Sequence, residues 1–473
     1  MGQAMTSVIV IGAGPAGVMA ALRAAELGAE TTLVTSGEFG GMAANDGPVP
    51  VRTLAHAARL LRGIRQSEQY GLTTGGAAID YPRLLSRVSD VVREVRMHST
   101  LRQEVERLGV SVHERTGPAR FIDSHTVETD HGPRLQADRF IIATGGVSRQ
   151  LAVPGFELTS THSDAWALTS VPPSMLVIGG GATGAQLASV FNAFGTRIDL
   201  FQSGPRIIPL EDEDVSAAVA AAFRKAGISI HESFGVIESF EKSAVGVRMN
   251  YSRNGEHLSA EAALAVVATG WVANTSGLNL AEPGVAVDDR GFVRVDPYLQ
   301  TTAPHVHAAG DVIGHMMLVP QALQGGFVAA TNAVRGPTLP LQDAVGPTGG
   351  FTDPDYAQVG LTEAKARESH DIVVSVVPFD STTRTIIDGH TVGFCKLIVD
   401  RATCRILGCH VVGEGAVEIV QGAAIAIAAG MRVDDLARVP LSFPTYTGIL
   451  ALVAAGAARD LGLMVNWQAP TVQ

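Results

Sequence analysis

The strongest constraint on this chain is a glycine pattern that occurs twice, each time between an apolar strand and a helix. Ser7-Val8-Ile9-Val10-Ile11 runs into Gly12-Ala13-Gly14-Pro15-Ala16-Gly17, and Val18 to Leu27 continues with helical spacing up to Gly28. In such a turn Gly12 permits the sharp change of direction, Gly14 lets backbone approach a pyrophosphate, and Gly17 allows close helix packing, with the phosphate at the helix N-terminus. A single match would carry little weight. Here Met175 to Ile178 repeats the strand, Gly179-Gly180-Gly181-Ala182-Thr183-Gly184 repeats the turn, and Ala185 to Phe194 repeats the helix. Two dinucleotide sites in one α/β chain follow.

Two later strands also end alike, Phe140-Ile141-Ile142-Ala143-Thr144-Gly145 and Leu264-Ala265-Val266-Val267-Ala268-Thr269-Gly270, as if each nucleotide domain closes with the same strand and turn. Ala303 to Gly310 reads as a short strand that delivers Asp311, and His307 is expected to shape the turn before it. The stretch Val345 to Gly350 reads as a linker. Beyond it come strands at Ile372 to Phe379 and Gly393 to Val412, then helices at Ala416 to Ala429 and Thr447 to Leu461.

Length and composition agree with a large folded protein. At 473 residues the chain has room for about three domains. Its 52 glycines follow no fixed period, which excludes a collagen-like chain. A formal net charge of -11 leaves no general footprint for nucleic acid or an anionic membrane. No run approaches the roughly 20 apolar residues of a spanning helix, and the first apolar run leads into the glycine motif, so a cytoplasmic location is expected. The three cysteines, Cys395, Cys404 and Cys409, are odd in number and are expected to be small buried packing residues. No His/Cys/Asp/Glu cluster has metal-ligand spacing, so no metal is expected.

These landmarks, in this order and over essentially the whole chain, resemble the flavoprotein disulfide reductases, the family of dihydrolipoamide dehydrogenase, glutathione reductase and mercuric reductase. The resemblance implies two Rossmann-like domains and a C-terminal α+β dimerisation domain: FAD-binding at 1–155, NAD(P)-binding at 156–275, the second FAD/central part at 276–345, and dimerisation at 346–473. It implies FAD held by Gly12, Gly14, Ala16, Gly17, Gly41, Thr144, Gly145, Gly310 and Asp311. NADPH or NADH would be held by Gly179, Gly181, Gly184, Gln202 and Gly270, and the protein would be a homodimer.

The chain departs from the family at its reactive centre. The family's redox helix has a glycine pair, a cysteine, four residues, a second cysteine and Pro-Ser-Lys. Here the stretch from Gly40-Gly41 to Arg52 fills it without a gap, with Ala43 and Pro48 at the cysteine positions. The C-terminal His-Pro-Thr-x-x-Glu reads Phe443-Pro444-Thr445-Tyr446-Thr447-Gly448. Thiol chemistry needs a sulfur nucleophile and a base, so reduction of disulfide, lipoamide or mercuric ion by the family's usual route is not expected. The family's Lys–Glu pair near the flavin becomes Arg52 and Gln186, a more positive site that favours electron uptake. The acid for the FAD ribose becomes Thr35, so that contact is altered or passes to Glu38. Gln202 stands where an acid would select NADH, and Arg206 lies within reach of an NADPH 2'-phosphate, leaving both nucleotides open. His56, one turn after Arg52, is a candidate proton donor, and Tyr446 with Phe443 are candidates for lining an acceptor pocket.

The expected function is FAD-dependent hydride transfer from NAD(P)H directly to a small organic acceptor, quinone-like or aromatic. The acceptor would occupy the vacated disulfide face, among Met42, Ala43 and Pro48 of one subunit and Phe443 and Tyr446 of the other. A soluble transhydrogenase, a specialised biosynthetic flavoenzyme and a non-catalytic redox sensor remain alternatives.

Overall fold

A computed structural model describes residues 5–73, 75–98, 100–342 and 345–464. The chain divides into two compact units: 1–54 with 80–150 and 270–344, and 55–79 with 151–269 and 345–473.

The first unit is built on a five-stranded parallel sheet, in the order Val306–Ala308, Arg139–Ile142, Ser7–Ile11, Glu30–Val34, Ser111–His113. Its central strands are runs of Val and Ile rather than alternating patterns, because both sheet faces are covered. The helix Pro15–Glu26 follows the first strand and packs on the helix Val319–Arg335. That packing depends on Gly326, where an added Cβ would lie 2.1 Å from the Ala16 carbonyl oxygen. His307 is not a turn residue: it is paired with Ile141 inside the strand Val306–Ala308, and its burial pushes the imidazole down to about 4. Burial favours the neutral ring, and the turn is left to Gly310, with φ of 78°.

The second unit contains three sheets. Four parallel strands, Ser229–Glu232, Arg197–Gln202, Ser174–Ile178 and Leu264–Val267, repeat the nucleotide-binding arrangement. An antiparallel meander, Val236–Ser243, Gly246–Arg253 and Glu256–Ala262, interrupts it before the last parallel strand. The third sheet is antiparallel, in the order Thr348–Gly350, Tyr356–Gly360, Ile406–Val412, Phe394–Asp400, Ile372–Pro378. One of its faces carries Val359, Leu397, Cys409 and Val411 and packs on the helices Ala416–Ala428 and Ile449–Asp460. The cysteines are buried packing residues, with the Sγ atoms of Cys395 and Cys409 3.9 Å apart.

The opposite face carries a polar row among apolar residues such as Tyr356, Ile398 and Val412. Register places Thr348, Gln358, His410 and Lys396 in one row across four strands. Lys396 is 1% exposed and its ammonium meets Asp212 at 3.0 Å, Asp214 at 2.8 Å and Glu363 at 2.5 Å. Burial alone would favour the neutral amine, but these hydrogen bonds hold the Lys396 pKa above its ordinary value. The Glu363 N–H also donates to Asp212 at 2.8 Å, so the start of the helix Glu213–Lys225 is tied to the sheet by charge-assisted bonds. Among the described residues no helix is long and apolar enough to cross a membrane.

Candidate active site

In the first unit the strand Ser7–Ile11 delivers a turn that only glycine can make. Gly12 has φ of 109°, and a Cβ there would lie 2.2 Å from the Ala143 carbonyl oxygen. At Gly17 it would lie 1.7 Å from the Gly12 oxygen. At Gly14 the nearest atom would be 3.9 Å away, so that position faces open space in front of the helix N-terminus. The helix Pro15–Glu26 has no side-chain cap, and its first N–H groups therefore point at whatever anion enters. Gly41 closes the other wall, because a Cβ there would meet the Gly14 Cα at 2.6 Å. Asp311 follows Gly310, whose added Cβ would meet that of Ala16 at 2.9 Å. The Asp311 carboxylate takes no hydrogen bond among the described residues, and burial pushes its pKa up. A pyrophosphate at Gly14 and a polyhydroxyl chain that donates to Asp311 both fit this set, as FAD would supply.

Thr144 and Gly145 form a turn whose atoms are already engaged: the Thr144 hydroxyl donates to the Asn274 carbonyl at 2.8 Å, and Gly145 accepts from the Asn274 N–H at 3.0 Å. Thr35, 8% exposed at the end of its strand, keeps a hydroxyl with no partner among the described residues. Glu38 is held instead by Arg115, at 2.6 Å, and by Arg96, at 2.7 Å, and this pairing keeps its carboxyl below the usual range. Of the two candidates for the ribose, only Thr35 is uncommitted.

Where the family keeps its dithiol, Ala43 lies in the short helix Gly41–Asn45, and Pro48 opens the helix Pro48–Gln66. Proline is tolerated there because a first-turn N–H has no helical partner to lose. Arg52 and His56 lie one turn apart on that helix and are both exposed.

The second unit repeats the cradle. At Gly179, with φ of 109°, a Cβ would lie 2.3 Å from the Ala268 oxygen, and at Gly184 it would lie 1.8 Å from the Gly179 oxygen, whereas Gly181 faces open space at the start of the helix Ala182–Ala193. Gly270, with φ of 115° and also open, belongs to the first unit. Gln186 spends its amide inside the unit, donating to the Ala182 carbonyl at 3.0 Å and accepting from the Phe351 N–H at 3.3 Å. The Gln202 oxygen accepts from the Gly180 N–H at 2.9 Å. Arg206 does not reach outward: its guanidinium donates to the carbonyls of Pro209 at 3.0 Å and Glu211 at 3.2 Å.

In the C-terminal segment, Phe443 is 82% exposed. The Tyr446 hydroxyl is not free to reach an acceptor, because it donates to Asp388 at 2.8 Å, and Arg384 binds the same carboxylate oxygen at 2.7 Å. Burial and the nearby Asp388 charge hold the phenol neutral. Tyr446, Asp388 and Arg384, with Tyr70, Ile387, His390 and Glu414, line an open cleft of about 530 Å³. Sequence reasoning missed Arg384 and Asp388, which stand about 60 positions before Tyr446 and carry no motif of their own.

The pattern of the pyridine nucleotide-disulphide oxidoreductases matches residues 6–326, and that of the family's dimerisation domain matches residues 346–453. A mercuric reductase of Lysinibacillus sphaericus is 31% identical over 459 residues, covering 96% of this chain and 83% of that enzyme. A dihydrolipoyl dehydrogenase of Geobacillus stearothermophilus is 31% identical over 462 residues, covering 96% of each. Among solved structures, the HOCl-induced flavoprotein disulfide reductase RclA of Escherichia coli shares the fold with a TM-score of 0.84 at 24% identity, covering 95% of this chain and 99% of that one. With both cradles intact and a family match over most of its length, the chain belongs to the pyridine nucleotide-disulphide oxidoreductases and is an FAD-dependent oxidoreductase that uses NAD(P)H.

Proposed function

We propose that this enzyme delivers reducing equivalents from NAD(P)H to a small organic acceptor, quinone-like or aromatic, without a redox dithiol. The observation that carries this reading is the pair Ala43 and Pro48 at the cysteine positions, in a chain whose three cysteines all lie buried in the C-terminal sheet region. Cys395 cannot substitute: its hydrogen bond with Cys409 and its burial raise the thiol pKa, the opposite of what a nucleophile needs. When bound, FAD supplies the two-electron relay between nicotinamide and acceptor. Arg52 keeps a cation where the family has lysine, and Phe443 removes the proton-carrying histidine, so the chain retains electron delivery and loses thiol protonation. The exposed Phe443 and Ile425, at 82% and 70%, would be covered in a homodimer through the 346–453 domain.

An anaerobic titration tests the reading. Two electrons per FAD should complete reduction, no thiolate–flavin charge-transfer band should appear, and arsenite should not inhibit the reduced enzyme. A requirement for four electrons would overturn it. The substitution Gly448→Trp should slow quinone reduction and leave flavin reduction by NAD(P)H unchanged. If neither rate moves, the acceptor does not meet the 443–448 segment.

A further inference from the structure

Nicotinamide nucleotides with and without a 2'-phosphate differ by about two negative charges at neutral pH. In a Rossmann-like site the side chain at the end of the second strand tells them apart: a carboxylate accepts from the 2'-hydroxyl and repels the phosphate, whereas a nearby arginine attracts it. In this protein that side chain is Gln202, the last residue of the strand Arg197–Gln202.

Its orientation is set by the glycine loop. The Gly180 N–H can only donate, so the atom it meets at 2.9 Å is the Gln202 oxygen. The amide nitrogen therefore stands at the other end of the group, with its N–H donors. A hydroxyl and a phosphate oxygen both accept from such a donor. The amide carries no charge with which to prefer either.

The charged neighbours already have partners. The Arg206 guanidinium donates to the carbonyls of Pro209 and Glu211. Glu232 is paired in register with Gln202, accepts from the Ile207 N–H at 3.1 Å and is neutralised by Arg224 at 2.8 Å. No unpaired carboxylate among these is left to reject the phosphate, and Arg206, which keeps its charge, turns its Nη2 to carbonyls of its own loop.

We propose that Gln202 is the specificity-determining residue of the nucleotide site and makes it indifferent to the 2'-phosphate, so that the enzyme binds NAD(H) and NADP(H) alike. This inference concerns the nucleotide half of the protein and does not rest on the acceptor reading.

The test is titration calorimetry of the FAD-loaded enzyme with NAD⁺ and with NADP⁺, which reads binding and not turnover. The two dissociation constants should lie within about tenfold of each other. Gln202→Glu keeps an oxygen for the Gly180 N–H and adds a charge, so it should weaken NADP⁺ binding at least about tenfold while NAD⁺ binding changes little. Arg206→Ala should leave the ratio of the two constants unchanged, even if loop disorder lowers both affinities. A wild-type preference of about a hundredfold or more in either direction would overturn the proposal. So would a selective loss of NADP⁺ binding in Arg206→Ala, which would mean that the arginine leaves its carbonyls to meet the phosphate, or an unchanged ratio in Gln202→Glu.

Discussion

Gly14→Val will give a folded protein that purifies without flavin. The argument rests on the contrast among the three glycines of the first turn. At Gly12 and Gly17 a Cβ would lie 2.2 Å and 1.7 Å from backbone oxygens, so any larger residue there breaks the strand–helix junction itself. At Gly14 the backbone has an extended conformation, φ -76° and ψ -178°, that valine can adopt, and the nearest atom to an added Cβ is 3.9 Å away. Valine for glycine at a helix N-cap costs about 1 kcal/mol, which a protein of this size can absorb. The isopropyl group would occupy the space in front of the helix N-terminus where the pyrophosphate belongs. The measurement is the flavin-to-protein absorbance ratio beside a thermal melt. Stoichiometric FAD in the variant would refute the cradle, and Gly17→Val should fail to fold. Gly181→Val should in the same way remove nicotinamide nucleotide binding and spare the flavin, since Gly181 also faces open space.

A second large effect is expected from Glu211. Its side chain is 8% exposed, its Oε2 has no hydrogen-bond partner, and Asp212 stands next to it. Burial first, and the Asp212 charge second, push its carboxyl from 4.5 up to about 8. Between those values the folded chain holds a proton that the unfolded chain has released, so this group's contribution to stability falls as pH rises, by at most about 1.4 kcal/mol per pH unit, and levels off above about 8. Glu211→Gln removes the titration and keeps the shape. The melting temperature of the variant should match the wild type near pH 5 and exceed it by a growing margin up to pH 8. Asp355, raised to about 6 by burial, titrates in both proteins and cancels in the difference. A constant offset across the range would mean that Glu211 is ionised in the fold.

The two dinucleotide cradles were legible from sequence because their determinants are local. A strand, three glycines and a helix lie within about twenty residues, and the steric demand on Gly12, Gly17, Gly179 and Gly184 comes from backbone atoms of the same junction or of the recurring Ala143 and Ala268 turns. Ala43, Pro48 and Phe443, on which the proposed loss of the dithiol rests, could be read for the same reason, since they stand in contiguous motifs. The meander from 236 to 262 escaped notice because its strands are half-exposed and carry charged residues on one face, which blurs the apolar signal that marks the parallel strands.

Which polar atoms are spent and which are free was decided only by tertiary structure. Tyr446 reads as a residue lining an acceptor pocket until Asp388 and Arg384 arrive from another segment to hold its hydroxyl, and Arg206 reads as a phosphate ligand until its own loop curls back to offer two carbonyls. Lys396, an unremarked lysine in an apolar strand, becomes the centre of three carboxylates because register and the packing of a distant helix bring them together. Sequence determines the conformation each short segment can adopt and the chemistry it carries. Burial and hydrogen-bond partners are properties of the assembled chain, because they depend on groups that are far apart along it.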